Sequence, residues 1–256
     1  MPTKIVRDEY TVATDRISRP YRLCVVADLH GAEGAGAVSL LSEAAPDLIL
    51  AAGDICEDLT GAVSPRDAGL RFLRAAARLA PVFYTPGNHE YHRSHRNRAS
   101  WKSHAPVLSA QARAILREDG VSLLEDEFRL FGEFCIGGLC PGDRHSDGLP
   151  SSGFLKEMEQ SPGFRILLCH QPEYYPIWIR GKNVDLTVSG HAHGGQWRLF
   201  GHGIYAPGQG LFPQYTRGLY DGSLYVSPGL SNSVLVPRLF NPRSFALIHL
   251  TPLVRG

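Results

Sequence analysis

An α/β fold of two packed β-sheets with helices outside is the architecture this sequence predicts. Three observations carry that expectation. The first half alternates short apolar runs with segments of helical period. The second half holds closely spaced apolar runs separated by turns. Five of the runs end abruptly in small groups of His, Asp, Asn and Gly. Runs apolar on both faces, alternating with helices, are the pattern of a parallel sheet covered by helices.

Along the chain, Tyr21 to Ala27 is an apolar, β-branched run that stops at Asp28-Leu29-His30. A small-residue stretch leads into a helix expected over Ala37 to Ala45. Asp47 to Ala52 reads as a second buried strand, ending at Gly53-Asp54. Pro65 to Ala80 places Leu70, Leu73, Ala77 and Ala80 at helical spacing. Val82 to Thr85 is a third strand, ending at Pro86-Gly87-Asn88-His89-Glu90. Further on, Val121 to Leu124, Phe128 to Leu130 and Phe134 to Leu139 read as short strands, and Gly153 to Gln160 as a helix. Phe164 to Cys169 and Val184 to Ser189 are apolar strands, each ending in a histidine motif. Beyond Gln196 the chain is rich in Gly, Pro and aromatics, with strands expected at Ser223 to Ser227 and Phe245 to Leu250.

Composition narrows the class. With 256 residues, no repeat of fixed period and no low-complexity linker, one domain over residues 1–256 is the simplest organisation. A 43% hydrophobic, 20% charged chain is globular rather than disordered. Twenty-six Lys+Arg against 25 Asp+Glu gives a net charge of +1, without the basic excess that binding a nucleic-acid polymer requires. No apolar run approaches the ~18 residues of a membrane span. Met1 to Arg19 mixes Lys4, Arg7, Asp8, Glu9 and Asp15 with few apolar residues, so no secretory core is expected. The five cysteines, Cys24, Cys56, Cys135, Cys140 and Cys169, are odd in number and scattered, arguing against a disulfide framework or a zinc knuckle. A cytoplasmic protein is the expectation.

The chemistry lies in the five strand-end motifs: Asp28-Leu29-His30, Gly53-Asp54, Gly87-Asn88-His89-Glu90, His170 and Gly190-His191-Ala192-His193. In open α/β sheets ligands bind in the crevice beyond the strand ends, so residues distant in sequence can converge there. Imidazoles, carboxylates and an amide oxygen together suit Mn, Fe, Co or Zn. Asp28 and His30 are two residues apart and face one side of an extended strand end, and His191 and His193 repeat the spacing. With Asp54, Asn88 and His170 they make seven donors. That exceeds one tetrahedral site and suffices for two metals if a carboxylate bridges, Asp54 being the natural bridge. Two ions about 3.5–4 Å apart can activate a water and clamp the oxygens of an in-line displacement. Singly, each motif has a plainer account: a turn for Gly-Asp, a buried hydrogen-bonded residue for His170. Their order, all at strand ends, is what points to a site.

The ordered set Asp-x-His, Gly-Asp, Gly-Asn-His-Glu, His, Gly-His-x-His resembles the signature of the calcineurin-like metallophosphoesterases, over Leu23 to His193. The resemblance implies a β-sandwich of mixed sheets flanked by helices. It implies one metal held by Asp28, His30, Asp54 and His193, and a second by Asp54, Asn88, His170 and His191. His89 then stands near the substrate phosphate as an electrostatic stabiliser or leaving-group acid, with Asn88 beside it. Glu57 falls where the family carries a carboxylate and can orient His89, with Asp58 as its rival. Glu90 is expected to be solvated or to support a ligand. The segments Gly190 to Gln196, Tyr215 to Tyr220 and Val226 to Leu230 further resemble the YkuE/YaeI-like bacterial phosphoesterases, from whose usual His-Thr-His Ala192 departs.

The expected activity is therefore that of a dinuclear metal-dependent phosphoesterase, hydrolysing phosphodiester or pyrophosphate bonds by metal-activated hydroxide. Mn, Fe or Zn are the candidate ions, with Mn favoured for activity. Phosphomonoester hydrolysis at the same site and a non-catalytic metal-binding scaffold are the alternatives. The partner is a small phosphoester, a nucleotide or a lipid-linked phosphate. Arg217 can grip a substrate phosphate bidentately, or make a surface ion pair. The arginines and histidines of His89 to Arg98 can form a positive rim for anionic substrates, or a solvated face. Tyr174, Tyr175, Trp178, Trp197, Phe200, Tyr205 and Phe212 can wall a pocket for a base or an acyl chain, or belong to the core.

Overall fold

The computed structural model describes residues 4–94, 107–142, 145, 148–232 and 236–253. In chain order its elements are β1 (Val6–Thr14), β2 (Tyr21–Val26), α1 (Ala35–Ala44), β3 (Leu48–Ala52), α2 (Ala68–Ala77) and β4 (Val82–Thr85). Then come α3 (Ala110–Glu118), β5 (Val121–Leu123), β6 (Glu127–Phe131), β7 (Phe134–Leu139), α4 (Leu155–Met158), β8 (Phe164–Cys169) and β9 (Leu186–Ser189). Two small ribbons follow, β10 (Arg198–Leu199) with β11 (His202–Gly203), and β12 (Tyr205–Ala206) with β13 (Gly210–Leu211). The chain ends in β14 (Gly218–Tyr220), β15 (Leu224–Val226) and β16 (Ser244–Pro252).

Two six-stranded mixed sheets result, ordered β1-β16-β2-β3-β4-β5 and β14-β15-β9-β8-β7-β6. The strands β2 to β5 are parallel, as are β7, β8, β9 and β15. Between the sheets, Val25, Leu48, Leu50 and Phe83 from one meet Phe134, Ile166, Leu168 and Val188 from the other. Outside the first sheet, Leu41, Leu70, Phe72, Leu73, Ile115 and Leu116 of the helices pack on its second face. Both faces of β3 are thus covered, which is why its five residues, LILAA, are all buried and none is polar.

Local signals set the helix ends. Asp67 caps α2 by accepting from Leu70 N at 3.1 Å, and Ser109 caps α3 by accepting from Ala112 N at 3.1 Å. The expectations met in kind are β2-α1-β3-α2-β4 and the strands that follow. Three differ. The segment expected over Gly153 to Gln160 holds one helical turn, Leu155–Met158. Helix α3 went unforeseen, although Ala112, Ile115 and Leu116 have the buried spacing of a helix. Strand β1 also went unforeseen: it lies at the sheet edge, parallel to β16, alternating half-buried and exposed residues. Edge strands need only that weak alternation, which charged residues obscured.

No helix among the described residues is long and apolar enough to cross a membrane. All five cysteines are buried and unbridged, and burial pushes the Cys24 thiol up to about 12. Reaction with a soluble disulfide reagent is expected to label none of the five in the native protein within minutes and all five in guanidinium. Rapid native labelling of any one would contradict this packing.

Candidate metal centre

Parallel strands align their C-terminal ends, and here those ends carry the motifs. Asp28 and His30 follow β2, Asp54 follows β3, and Asn88 to Glu90 follow β4. His170 follows β8, and His191 and His193 follow β9. Cross-sheet hydrogen bonds lock the two rims together: His170 Nδ1 donates to Ala52 O at 2.7 Å, and His191 N donates to Asp28 Oδ1 at 3.0 Å.

The backbone bends sharply at this rim. Asp28, His30, Asp54, His191 and His193 all adopt left-handed φ, at 53°, 50°, 53°, 64° and 47°. Non-glycine residues in that region are uncommon and each costs on the order of 1–3 kcal/mol, a pattern that concentrates at functional sites. The glycines of the motifs admit close approach instead. A Cβ on Gly53 would lie 2.6 Å from His170 Nδ1 and 2.7 Å from Gly87 N, so the two sheets could not close over Asp54.

Three groups of donors converge, each within the spread a single ion can span: Asp28, His30 and His193; His30, Asp54 and His89; Asp54, His170 and His191. His30 is shared by the first and second, and Asp54 by the second and third. Its Oδ1 accepts from His89 N at 2.9 Å, which leaves Oδ2 facing inward, 3.1 Å from His170 Nε2 and 3.8 Å from His30 Nε2. His193 Nε2 and His30 Nε2 stand 3.8 and 4.0 Å from Asp28 Oδ1.

Tautomers follow from the outer contacts. His170 Nδ1 is committed to Ala52 O, and His30 Nδ1 meets Glu57 Oε1 at 3.0 Å. Each ring then turns an Nε2 lone pair inward, and both atoms, with Asn88 Oδ1, are buried without a hydrogen-bond partner. Orphaned buried acceptors are costly. Three of them beside two buried aspartates are what a cation would satisfy, and the donor set fits divalent metal ions.

Electrostatics agree. Burial alone would raise the Asp54 carboxyl, but His170, His89 and His30 hold it well below the usual range. Burial would lower His170, yet Asp54 and then Asp28 raise it to about 10: the two carboxylates favour positive charge at this point of the cluster. Burial, reinforced by His170, drops His191 to about 3, and burial with His30 and Arg238 drops His193 well below its ordinary value. Both stay neutral with lone pairs available. Burial and the charge of Asp54 raise Asp28 despite His170.

Around this core, Glu57 joins two rings, its Oε2 lying 3.1 Å from His89 Nδ1 while Oε1 holds His30. Burial opposes its ionisation, but the two imidazoles bring it to about 2. Asp58 turns away and accepts from Thr60 N and Oγ1. Glu90 is not solvated: fully buried, it accepts from Asp54 N, Cys56 N and Gly87 N at 2.9, 2.9 and 2.7 Å and from Tyr84 Oη at 2.6 Å. Arg217 is not brought to the cluster; both Asp8 oxygens take its Nη2, at 2.8 and 2.7 Å, and Pro242 O takes its Nη1. Strand β1, which supplies Asp8, was invisible in the sequence, and so was this pairing. Residues 95–98 of the basic stretch lie outside the described residues.

Two neighbours were missed. Arg238 donates to Ser231 O and Pro228 O and places Nη2 3.3 Å from His193 Nδ1; burial lowers it to about 10 against the pull of Asp28. Glu173 Oε1 lies 3.8 Å from His191 Nε2. Neither belongs to a strand-end motif, so spacing offered no signal for them.

A model of the calcineurin-like phosphoesterase family matches residues 21–195. An uncharacterized metallophosphoesterase of Helicobacter pylori strain J99 is 24% identical over 95% of this chain, which spans 63% of that relative's length. Bacillus subtilis YpbG is 26% identical over 64% of this chain and 58% of its own. Among solved structures, a metallophosphoesterase from Sphaerobacter thermophilus superposes with a TM-score of 0.31 at 15% identity, over 68% of this chain and 61% of that one. With the family model covering the whole ligand-bearing rim, this chain belongs to the calcineurin-like phosphoesterases.

Proposed function

We propose that the protein is a dinuclear metal-dependent phosphoesterase acting on phosphodiester or pyrophosphate bonds of small molecules. The observation that carries the reading is Asp54, one carboxylate oxygen of which faces both His170 and His30 at the junction of two donor groups. Asp28, His30, Asp54 and His193 hold one ion in this reading, and Asp54, Asn88, His170 and His191 the other. Two bound divalent ions supply a water acidified to a nucleophile at neutral pH and positive charge against the phosphoryl oxygens. Mn is the favoured ion, with Fe and Zn compatible with the same donors. His89, part-exposed at the rim, meets the substrate phosphate and protonates the leaving oxygen. Glu57 keeps its ring turned inward. The five unbridged cysteines support a reducing compartment, the cytoplasm.

The test compares bis(4-nitrophenyl) phosphate with 4-nitrophenyl phosphate on chelator-stripped protein, before and after addition of Mn2+. Activity is expected only with metal and to be greater for the diester. A monoester preference would reverse the substrate class and keep the site; absence of turnover with Mn, Fe and Zn would favour the scaffold reading. Glu57→Ala is expected to weaken metal binding about 10–100-fold in a chelator competition, because it releases His30 and His89 together. An unchanged affinity would remove Glu57 from the supporting shell.

A further inference from the structure

Beside His193 the ribbons form a half-open cavity of about 380 Å3, walled by Ala192, His193, Trp197, Ile204, Leu211 and Val236 among others. That volume suits a small-molecule pocket. Its lining offers almost no polar atom. Two polar wall groups are engaged elsewhere: Trp197 Nε1 donates to Pro237 O at 3.0 Å, and Gln196 Nε2 to Val236 O and Asn232 Oδ1. The nitrogens of His193 face Arg238 and Asp28, leaving ring carbon to the cavity.

The same part of the chain exposes apolar side chains at a conformational cost. Phe200, Phe212 and Phe240 are 92%, 79% and 85% exposed and have left-handed φ of 48°, 52° and 53°. Bulky residues rarely adopt that conformation. Phe212 directly follows Leu211 of the cavity wall.

We propose that one substituent on the substrate phosphorus is a long aliphatic chain, seated in this cavity while the phosphoryl group lies at the histidine–aspartate cluster. The inference rests on the phosphoesterase reading and adds the substrate class to it. Continuity decides the occupant: His193 is at once cavity wall and candidate metal ligand, so a group seated there adjoins the reacting bond. Chemistry decides its nature. A nucleobase would bury donors and acceptors against carbon without partners, whereas each methylene entering an apolar site is favoured.

The experiment measures kcat/KM of the Mn2+-loaded protein for 4-nitrophenyl phosphodiesters whose second ester is methyl, butyl or octyl, each below its aggregation threshold. Burial predicts a rise of at least about 100-fold from methyl to octyl. In Leu211→Asp, at a wall position whose side chain is 69% exposed, the ratio is expected to fall below about 10-fold with an unchanged thermal melt. A flat series in the wild type, or an undiminished ratio in Leu211→Asp, overturns the chain site and leaves the phosphoesterase reading standing. A second arm needs no turnover: n-decanol is titrated into metal-free protein while tryptophan fluorescence is followed, with Trp197→Phe as control. If no ester is cleaved with Mn, Fe or Zn, a saturable response lost in Trp197→Phe upholds the chain site and sinks the phosphoesterase reading alone. No saturable response in that case overturns the chain site as well.

Discussion

Asp54→Asn is expected to retain at most one metal ion per chain and to lose on the order of 10³-fold or more in kcat on a diester. The substitution is chosen for its restraint. Asp54 has a left-handed backbone at φ 53°, and Asn tolerates that region as readily as Asp. The amide can still accept from His89 N, the contact that orients the side chain. What disappears is the inward charge of Oδ2, which lies 3.1 Å from His170 Nε2 and 3.8 Å from His30 Nε2. Buried imidazoles on both sides then lack the carboxylate that joins them. Metal content by mass spectrometry, a thermal melt and kcat on bis(4-nitrophenyl) phosphate read the three consequences separately. Two ions retained at wild-type rates would eliminate the bridging role. A collapsed melting temperature would show a structural one.

The second large effect concerns Glu90, which holds the floor beneath Asp54. Its two oxygens accept from three backbone amides, of Asp54, Cys56 and Gly87, and from the Tyr84 hydroxyl. Burial and the nearby Asp54 charge raise it to about 7, against the pull of Tyr84 and Cys56 N, so the comparison is best made at pH 8. Glu90→Ala leaves all four donors buried without a partner. Breaking such a buried charged network costs about 3–5 kcal/mol, less than the sum of its bonds because they act together. For a chain of this length that corresponds to a melting temperature lower by roughly 6–20 °C. Glu90→Gln retains the shape but offers one acceptor oxygen in place of two, and is expected to recover about half the loss. Both variants are also expected to weaken metal binding, since the Asp54 backbone amide is one of the four donors. A melting temperature within 2 °C of wild type would contradict the network.

Much of this site was legible before any coordinates. Short parallel strands bury both faces and read as largely apolar runs, so LILAA, and YRLCVV and FRILLC with one arginine each, stand out, and the polar residue after each run is conspicuous. The motif order then names the candidate donors, because parallel strands bring their C-terminal ends to one rim. Elements held by weaker patterns escaped: among the described residues β1 pairs only with β16, from a distant part of the chain, and its charged alternation resembles a solvated tail. Arg217 illustrates the consequence. A lone arginine in a Gly-rich stretch is as consistent with phosphate as with a carboxylate, and only the pairing of β1 brings Asp8 within 2.7 Å of it.

The choice between Glu57 and Asp58 likewise could not be made from spacing, since adjacent residues point in different directions only once the loop is fixed. Folding gives Glu57 two imidazoles and Asp58 a local turn with Thr60. Glu90 is the sharper case: its chemistry alone allows a solvated carboxylate or one that supports a ligand, and only the fold brings three amides of two separate loops onto it. Read from the chain alone are the strand ends, the donor types and their order, because local periodicity and residue chemistry are properties of short segments. Which carboxylate faces a histidine, which arginine is already paired and where an apolar cavity adjoins His193 depend on contacts between segments as much as 209 residues apart. Those contacts exist only after the two sheets have closed on each other.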